Sequence, residues 1–588
     1  MAKSESKVGK ALDMQLVRRM LKYVRPYRRR FALALFLTIL LAILTPARPI
    51  LVQRTLDHEV MTGNLPGLQL MMLILVGLLI FQGLVMYVNT YLTNWLGQSI
   101  IRDIRQQVYD HILSLRLQFF DRTPIGTLQT RTISDVETLN DVFTSGLVRI
   151  LGDLLQLVAI VSAMLIVNWK LALAVLTTLP LLLGATWVFK NKVKSAFQVV
   201  RSAVSEMNAF LQEHLSGMNV IHIFSREERE AGKFDDINKK LRTANIRSVM
   251  YYAVYFPVVE IITALTMAIL VSYGAAKVMD ESLRFGELVA FIMFTQMFFR
   301  PVRMLADQFN TLQLGMVSAE RIFKVLDTQE FIPDEGELTE APVGADRNVS
   351  IEFQDVSFAY NEPEWVLHNI DLKIKAGQKV ALVGSTGSGK TTMINLLNRF
   401  YEIQQGDILV NGVSIKSMKI EALRSLTGVV LQDVFLFSGS IADNITLNNP
   451  EISRETVIES AKRVGAHDFI MELPGQYDYE VRERGATLSM GQRQLISFAR
   501  VMAYDPRVLV LDEATANIDT ESEEIIQHAI DTVLAGRTSI IIAHRLSTIQ
   551  KADNIVVLKK GKIIESGSHE ALLKHEGDYF ELYQMQFA

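Results

Sequence analysis

The chain has 588 residues, of which 49% are hydrophobic and 21% charged, with a mean hydropathy of +0.22. That length implies several domains, because single cores rarely grow past roughly 250–300 residues. A net charge of −3 gives no reason to expect nucleic acid as a partner, and the lack of cysteine excludes disulfides, thiolate-held zinc, iron–sulfur centres and thiol catalysis.

Residues 1–30 are basic and polar, without the apolar core or cleavage site of a signal peptide. Within them, 16–27 sets Arg18, Arg19 and Lys22 among apolar residues and reads as an amphipathic helix lying on the inner membrane surface. Residues 31–326 read as a membrane domain. Apolar stretches occupy 31–47, 61–101, 154–169, 171–189, 251–276 (interrupted only by Glu260) and 288–299. A span takes about 20 residues, so six helices are expected, the third and fourth joined at Asn168-Trp169-Lys170. Ten Lys and Arg residues precede the first span, while the first loop, 57–67, has none. Basic residues stay inside, so both termini and the two long charged loops, 102–149 and 190–247, are expected to face the cytoplasm. Helical periodicity persists through those loops, predicting rods that reach into the cytosol. Each rod pair would turn at a tip, at 119–126 where Pro124 and Gly126 break the helix and at the apolar stretch 217–225. Arg48, Asp153, Glu260, Arg300 and Arg303 fall at membrane depth, where a structural pairing and a substrate contact are both open readings.

Residues 327–349 are acidic, contain Pro333, Gly336, Pro342 and Gly344, and read as a linker. From 350 to 588 strands alternate with helices, as in an α/β nucleotide-binding domain. Its centre is Gly384-Ser385-Thr386-Gly387-Ser388-Gly389-Lys390-Thr391, a G-x-x-x-x-G-K-[ST] loop. An apolar strand, 379–383, precedes it, and an apolar-periodic helix beginning at Thr392 follows. The three glycines allow a nest of inward N–H groups for a phosphate chain. Lys390 supplies a cation for the outer phosphates, and Thr391 a hydroxyl for Mg²⁺. Further on, the strand 507–511 runs into Asp512 and Glu513. Asp512 is placed to hold Mg²⁺ and Glu513 to orient and deprotonate the attacking water. Two more strands are expected at 538–543 and 554–558.

Leu488-Ser489-Met490-Gly491-Gln492-Arg493-Gln494, five residues before Ala499-Arg500, resembles the signature of ATP-binding cassette (ABC) ATPases. Gln432 in Leu431-Gln432-Asp433, the turn Ala516-Asn517-Ile518-Asp519, Ala543-His544-Arg545, and Tyr360 standing 24 residues before the phosphate loop follow the family's order and spacing. With six spans ahead of the ATPase, the chain resembles a half-transporter of the type I (or IV) ABC exporters, a group that includes multidrug exporters and lipid flippases.

The resemblance implies a multi-domain protein of the cytoplasmic membrane: an all-α six-helix transmembrane domain and an α/β P-loop ATPase that uses ATP and Mg²⁺. Tyr360 would stack on adenine. Gln432 would touch Mg²⁺ and the attacking water, and His544 the γ-phosphate. Ser489, Met490, Gly491 and Gln492 would face the ATP of a second subunit, and Asp519 would link the two sites. Hydrophobic or amphipathic, drug- or lipid-like compounds would be exported or flipped by alternating access. Met490 departs from the usual glycine at that position, a substitution also met in heterodimeric exporters, so both a homodimer, which is favoured, and a heterodimer are compatible. The competing reading is an ATP-gated channel or regulatory subunit. It is disfavoured because such members tend to lose the base or the switch histidine, and Glu513 and His544 are both present.

Overall fold

A computed structural model describes residues 14–340, 342, 348–512, 520–542 and 546–587. The chain divides into two compact units. One comprises Met1–Leu113 and Pro124–Thr328, the other Ser114–Thr123 and Gln329–Ala588.

The first unit is helical. Among the described residues, five stretches are long and apolar enough to cross a membrane: Arg25–Val60, Leu65–Ser114, Ile125–Leu176, Glu227–Met279 and Phe285–Val302. The fourth expected span, 171–189, is uncharged over its 19 residues but is not one continuous helix. A turn at Thr177-Thr178 divides it, and the helix that follows, Leu179–Ser216, meets Lys190, Lys192 and Lys194 after its first three turns. The expected connection at Asn168 is present. Asn168 leaves helical geometry (φ −160°, ψ 104°), and its side-chain oxygen accepts from the N–H groups of Lys170 and Leu171 at 3.1 and 3.2 Å. This is an asparagine cap restarting a helix after a break.

Helix Leu65–Ser114 has 50 residues, about 75 Å at ~1.5 Å per residue, more than twice the hydrocarbon thickness. Leu70, Leu73, Ile80, Leu84 and Tyr87 on it are all exposed. An apolar face of that size suits lipid and not water. The chain is therefore a membrane-embedded, multi-pass protein.

The amphipathic helix near the start is shorter than 16–27. It spans Met14–Lys22 with Val17 and Met20 buried, and Pro26 turns Arg25–Tyr27 into a single 3-10 turn. Arg19 grips Asp327 with both guanidinium nitrogens, at 2.7 and 2.6 Å, and lies over the Phe323 ring. The pair holds the Asp327 carboxyl below its usual pKa, chiefly through the hydrogen bond from Arg19.

The second unit carries two sheets. A six-stranded, mostly parallel sheet runs Lys562–Gly567, Asn554–Lys559, Lys379–Val383, Thr538–Ile542, Val508–Asp512, Thr427–Val430. Alternate side chains enter opposite cores. Leu509, Leu511, Ile541 and Val557 face one, and Val508, Val510, Ile540 and Val556 the other. Burial on both faces is why these strands read as unbroken apolar runs. An antiparallel sheet, in the order Glu364–Ile374, Ile351–Asn361, Gln405–Val410, Val413–Ser414, closes the second core.

The proline- and glycine-bearing stretch that follows Thr328 is part of this unit, held against its core. Arg399 donates to the Pro333 carbonyl at 2.7 Å, the Ile420 N–H to Asp334 at 2.9 Å, and Leu338 bridges Met418. A side chain at Gly336 would meet the Met418 carbonyl at 2.3 Å, so only glycine fits there.

Candidate functional site

The phosphate loop leaves the central strand Lys379–Val383 and enters helix Lys390–Leu397. Its backbone has no room for side chains at two points. At Gly384 (φ +153°) a Cβ would lie 2.2 Å from the Leu558 carbonyl, and at Gly389 (φ +106°) 2.5 Å from Leu367 Cδ2. Gly387 is also left-handed (φ +81°), which keeps the turn between them tight. Ser385 and Thr386 form the exposed crest, while Ser388 is buried and its N–H bonds back to the Ser385 carbonyl at 3.1 Å. Lys390 Nζ lies over the loop, donating to the carbonyls of Gly384 at 2.6 Å and Ser385 at 3.1 Å. Burial lowers the Lys390 pKa, and the charge of Asp512 partly restores it. A buried, positively charged amine over a nest of backbone groups is built to receive anionic phosphates.

Thr391 is exposed at the start of the helix, and Thr392 is buried. The Thr392 hydroxyl lies 3.2 Å from the Tyr360 hydroxyl, which ties the tyrosine to the loop's helix. Asp512 is the last residue of its strand, paired with Ile542 on the neighbouring strand, and half-buried. Strand ends at the carboxyl edge are where α/β folds open their ligand crevice. Glu513, Asp519 and His544 lie outside the described residues.

Gln432 is exposed in the loop after Thr427–Val430. With Asp433, Arg484, Met490 and Arg493 it lines a groove of about 190 Å³. Ser489 caps helix Met490–Tyr504 through a reciprocal pair: its hydroxyl accepts from the Gln492 N–H at 3.2 Å, and Gln492 Oε1 accepts from the Ser489 N–H at 2.9 Å. The Ser-x-x-Gln spacing of the signature is thus a capping box. The cap orders the first turn and leaves the N–H groups of Met490 and Gly491 outside the helical bonding pattern, suited to an anion.

Comparison with known proteins matches residues 31–302 to the ABC transporter transmembrane region and residues 367–516 to the ABC transporter family. The ABC transporter ATP-binding protein YknV of Bacillus subtilis (strain 168) is 38% identical, over 100% of this chain and 97% of that protein. The chain belongs to the ABC transporter family. An ATP-dependent lipid A-core flippase of Syntrophus aciditrophicus (strain SB) is 35% identical over 98% of this transporter and 95% of its own length. A putative multidrug export ATP-binding/permease protein of Bacillus subtilis, YgaD, is 35% identical over 97% of this transporter and all of its own. A solved bacterial Atm1-family ABC exporter with ATP bound superposes with a TM-score of 0.78, at 28% identity, covering 95% of this transporter and 98% of that chain. The transporter is an exporter that binds and hydrolyses ATP and couples hydrolysis to transport across its membrane. Its half-transporter architecture implies a dimer.

Sequence reading marked a helix tip near 119–126, but not the residues that it meets in the transporter. The tip between its first two cytoplasmic rods is a short helix, Leu117–Arg122, seated within the ATPase unit. Gln118 donates to the Tyr360 carbonyl at 3.2 Å and Arg122 to Asn361 Oδ1 at 2.9 Å. The Tyr401 hydroxyl donates to Asp121 at 2.5 Å, and its ring stands perpendicular to that of Tyr360, 5.0 Å between centroids. Burial, then the bond to Asp121, pushes the Tyr401 phenol far above its usual pKa. The Pro-Gly break announced a tip, but nothing in the local pattern links residue 121 to residue 401. Asp121→Ala leaves that hydroxyl half-buried without its acceptor. Amide exchange at 117–123 is expected to speed up about tenfold, read by hydrogen–deuterium exchange. Unchanged protection would show that the tip does not depend on this bond.

Proposed function

We propose that this chain is one half of a two-fold exporter in the cytoplasmic membrane, with both termini in the cytoplasm, and that it moves amphipathic, drug- or lipid-like compounds. The carrying observation is the seating of a membrane-helix tip on the Tyr360 backbone, beside the phosphate loop. A shift of the tyrosine on nucleotide binding would then be felt directly by the rods.

In this reading Lys390 and the N–H groups of residues 384–391 hold the phosphates, with Thr392 in the first turn and the Tyr360 ring against the base. Ser489, Met490, Gly491 and Gln492 present their helix start to the γ-phosphate of the partner's ATP, the isologous arrangement of a two-fold dimer. A homodimer is favoured, and because this chain retains Glu513 and His544 it would be the hydrolytically competent member of a heterodimer as well. The donor set of Thr391 hydroxyl, Asp512 carboxylate and Gln432 amide suits Mg²⁺, which takes few protein oxygens and completes its shell with water and phosphate. Held by these residues, the ion would supply positive charge to offset that of the phosphates. Glu513 accepts the proton of the attacking water, His544 stabilises the charge developing on the γ-phosphate, and Asp519 links the two sites. Dimer closure and reopening shift the membrane helices between two states.

The test is Mg²⁺-ATPase activity of the chain alone in lipid nanodiscs beside Glu513→Gln, with an expected loss of about a hundredfold or more. Activity surviving in the variant would remove Glu513 as the base. An intact chain that binds ATP but does not turn it over would replace the homodimer by a heterodimer.

A further inference from the structure

Residues 18–30 carry seven cations and no carboxylate. Two of the seven are engaged within the helical unit. Arg19 is held by Asp327, and Arg30 lies over the Trp95 ring, 3.9 Å from its centroid, where the Tyr27 ring meets the same indole edge-on at 5.7 Å. The other five, Arg18, Lys22, Arg25, Arg28 and Arg29, are exposed, and among the described residues none has a hydrogen bond or ion pair through its charged group. Two carboxylates touch the segment, and both are already taken: Asp327 by Arg19, and Asp103 by the Tyr27 hydroxyl at 2.7 Å and by Arg102 at 2.8 Å. Arg25 and Arg28 stand three residues apart across the 3-10 turn, a spacing that sets side chains on one side, and the Arg28 N–H closes on the Arg25 carbonyl. Like charges set side by side repel unless an anion lies between them.

Exposed cations are ordinary on a surface that meets only water, but the helical rows that carry these five do not have that character. On Met14–Lys22 the buried side is Val17 and Met20, and the outward row reads Met14, Arg18, Leu21 at spacings of four and three. Met14 is 70% exposed and Leu21 42%. On Arg28–Leu44 the row that starts at Arg29 continues through Leu33, Phe36 and Ile43, all exposed. Arg30, held on Trp95, fixes the rotation that turns Arg29 outward, since helical neighbours point about 100° apart. The apolar end of that row suits hydrocarbon, so Arg29 stands one turn beyond the acyl chains. A row mixing bare methionine and leucine with bare arginine suits the boundary where acyl chains end and headgroups begin.

We infer that Arg18, Lys22, Arg25, Arg28 and Arg29 form a docking site for the headgroup phosphate of an anionic phospholipid taken from the surrounding bilayer. Guanidinium forks bond phosphate oxygens in pairs, and a basic cluster of this size at the end of a span matches an anionic headgroup in charge and depth. The acyl chains of the same lipid would cover Leu33 and Phe36. The docked lipid would also steady helix Met14–Lys22, which reaches two long helices. Arg19 lies on Phe323 and Asp327 at the end of Phe285–Leu326, and the hydroxyl of Tyr23, just past the helix, donates to Gln107 on Leu65–Ser114 at 2.8 Å. This goes beyond the exporter reading and depends neither on the compound moved nor on ATP turnover.

The test is native mass spectrometry of the full chain, purified in detergent without nucleotide and titrated with phosphatidylglycerol or with phosphatidylcholine of the same acyl chains. The first phosphatidylglycerol is expected to bind about tenfold tighter than the first phosphatidylcholine. Combining Arg25→Gln, Arg28→Gln and Arg29→Gln should abolish that preference. Combining Arg25→Lys, Arg28→Lys and Arg29→Lys should keep most of it, because the charge remains although the fork is lost. All three side chains are exposed, so neither set disturbs a packed contact. Combining Lys190→Gln, Lys192→Gln and Lys194→Gln, which neutralises the basic run on helix Leu179–Ser216, should leave the preference unchanged. The inference is overturned by equal binding of the two lipids, by a preference that survives the glutamine set at 25–29, or by one lost equally with the lysines at 190–194. Displacement of phosphatidylglycerol by millimolar glycerol phosphate would also overturn it, by showing a site for soluble anions instead of a bilayer lipid.

Discussion

Replacing Lys390 by alanine is expected to lower ATP turnover by about a hundredfold or more, the loss typical of removing one preorganised charge donor from a phosphoryl-transfer site. The side chain is 8% exposed and folded over the loop, so its position is set by two carbonyls before any nucleotide arrives. The same substitution should leave folding nearly untouched. Burial disfavours the charged lysine, and removing a costly buried charge offsets the two hydrogen bonds lost. The sign follows from the depressed pKa. Below its folded value the ionised amine destabilises the nucleotide-free unit, and that cost is relieved as pH rises toward the ordinary 10.5. Phosphate-release kinetics, binding of a fluorescent ATP analogue and thermal unfolding together decide the matter. Weak turnover with an unchanged melting point supports a phosphate-holding role. A variant that turns over ATP normally would leave Lys390 without one.

Arg399→Ala should strongly destabilise the ATPase unit, by roughly 3 kcal/mol, the scale for stripping a buried charge from its partners. Arg399 is 3% exposed. Its guanidinium donates to the carbonyls of Ile415 at 3.1 Å, Met418 at 3.2 Å and Pro333 at 2.7 Å, and to Glu402 at 3.1 Å. One planar fork therefore joins the end of the phosphate-loop helix, the turn after the antiparallel sheet and the strap that leads in from the membrane helices. Alanine would take this donor from two buried carbonyls, those of Ile415 and Met418, and from the partly exposed one of Pro333. A fall in melting temperature of about 10 °C is expected for a unit of this size. Arg399→Lys should recover only part of it, since an ammonium cannot span the same fork. A fall of only about 2 °C in the alanine variant would mean that water or a neighbouring donor takes over, and the strap would then be held by other contacts.

What the sequence by itself determined is whatever a short run of chain can specify. The phosphate loop lies between its strand and helix where Gly384, Gly387, Gly389 and Lys390 put it. The break at Asn168 is made by the asparagine's own side chain. The start of the signature helix is made by Ser489 and Gln492, three residues apart. Each rests on hydrogen bonds or torsion preferences between near neighbours, and so is legible in order along the chain.

Tertiary structure alone decided what depends on convergence. Arg48, Asp153 and Arg300 could each be singled out as charges at membrane depth, but only the packing of separate helices brings them, with Arg149 and Thr93, around one cavity. Asp121 and Tyr401 are 280 residues apart in the chain and 2.5 Å apart in space. The acidic, proline-bearing stretch after the last membrane helix carries no periodicity, yet Arg399, Met418 and Ile420 hold it down. A contact of that kind depends on the geometry of two separately formed surfaces, and one residue's identity carries no trace of the other's position.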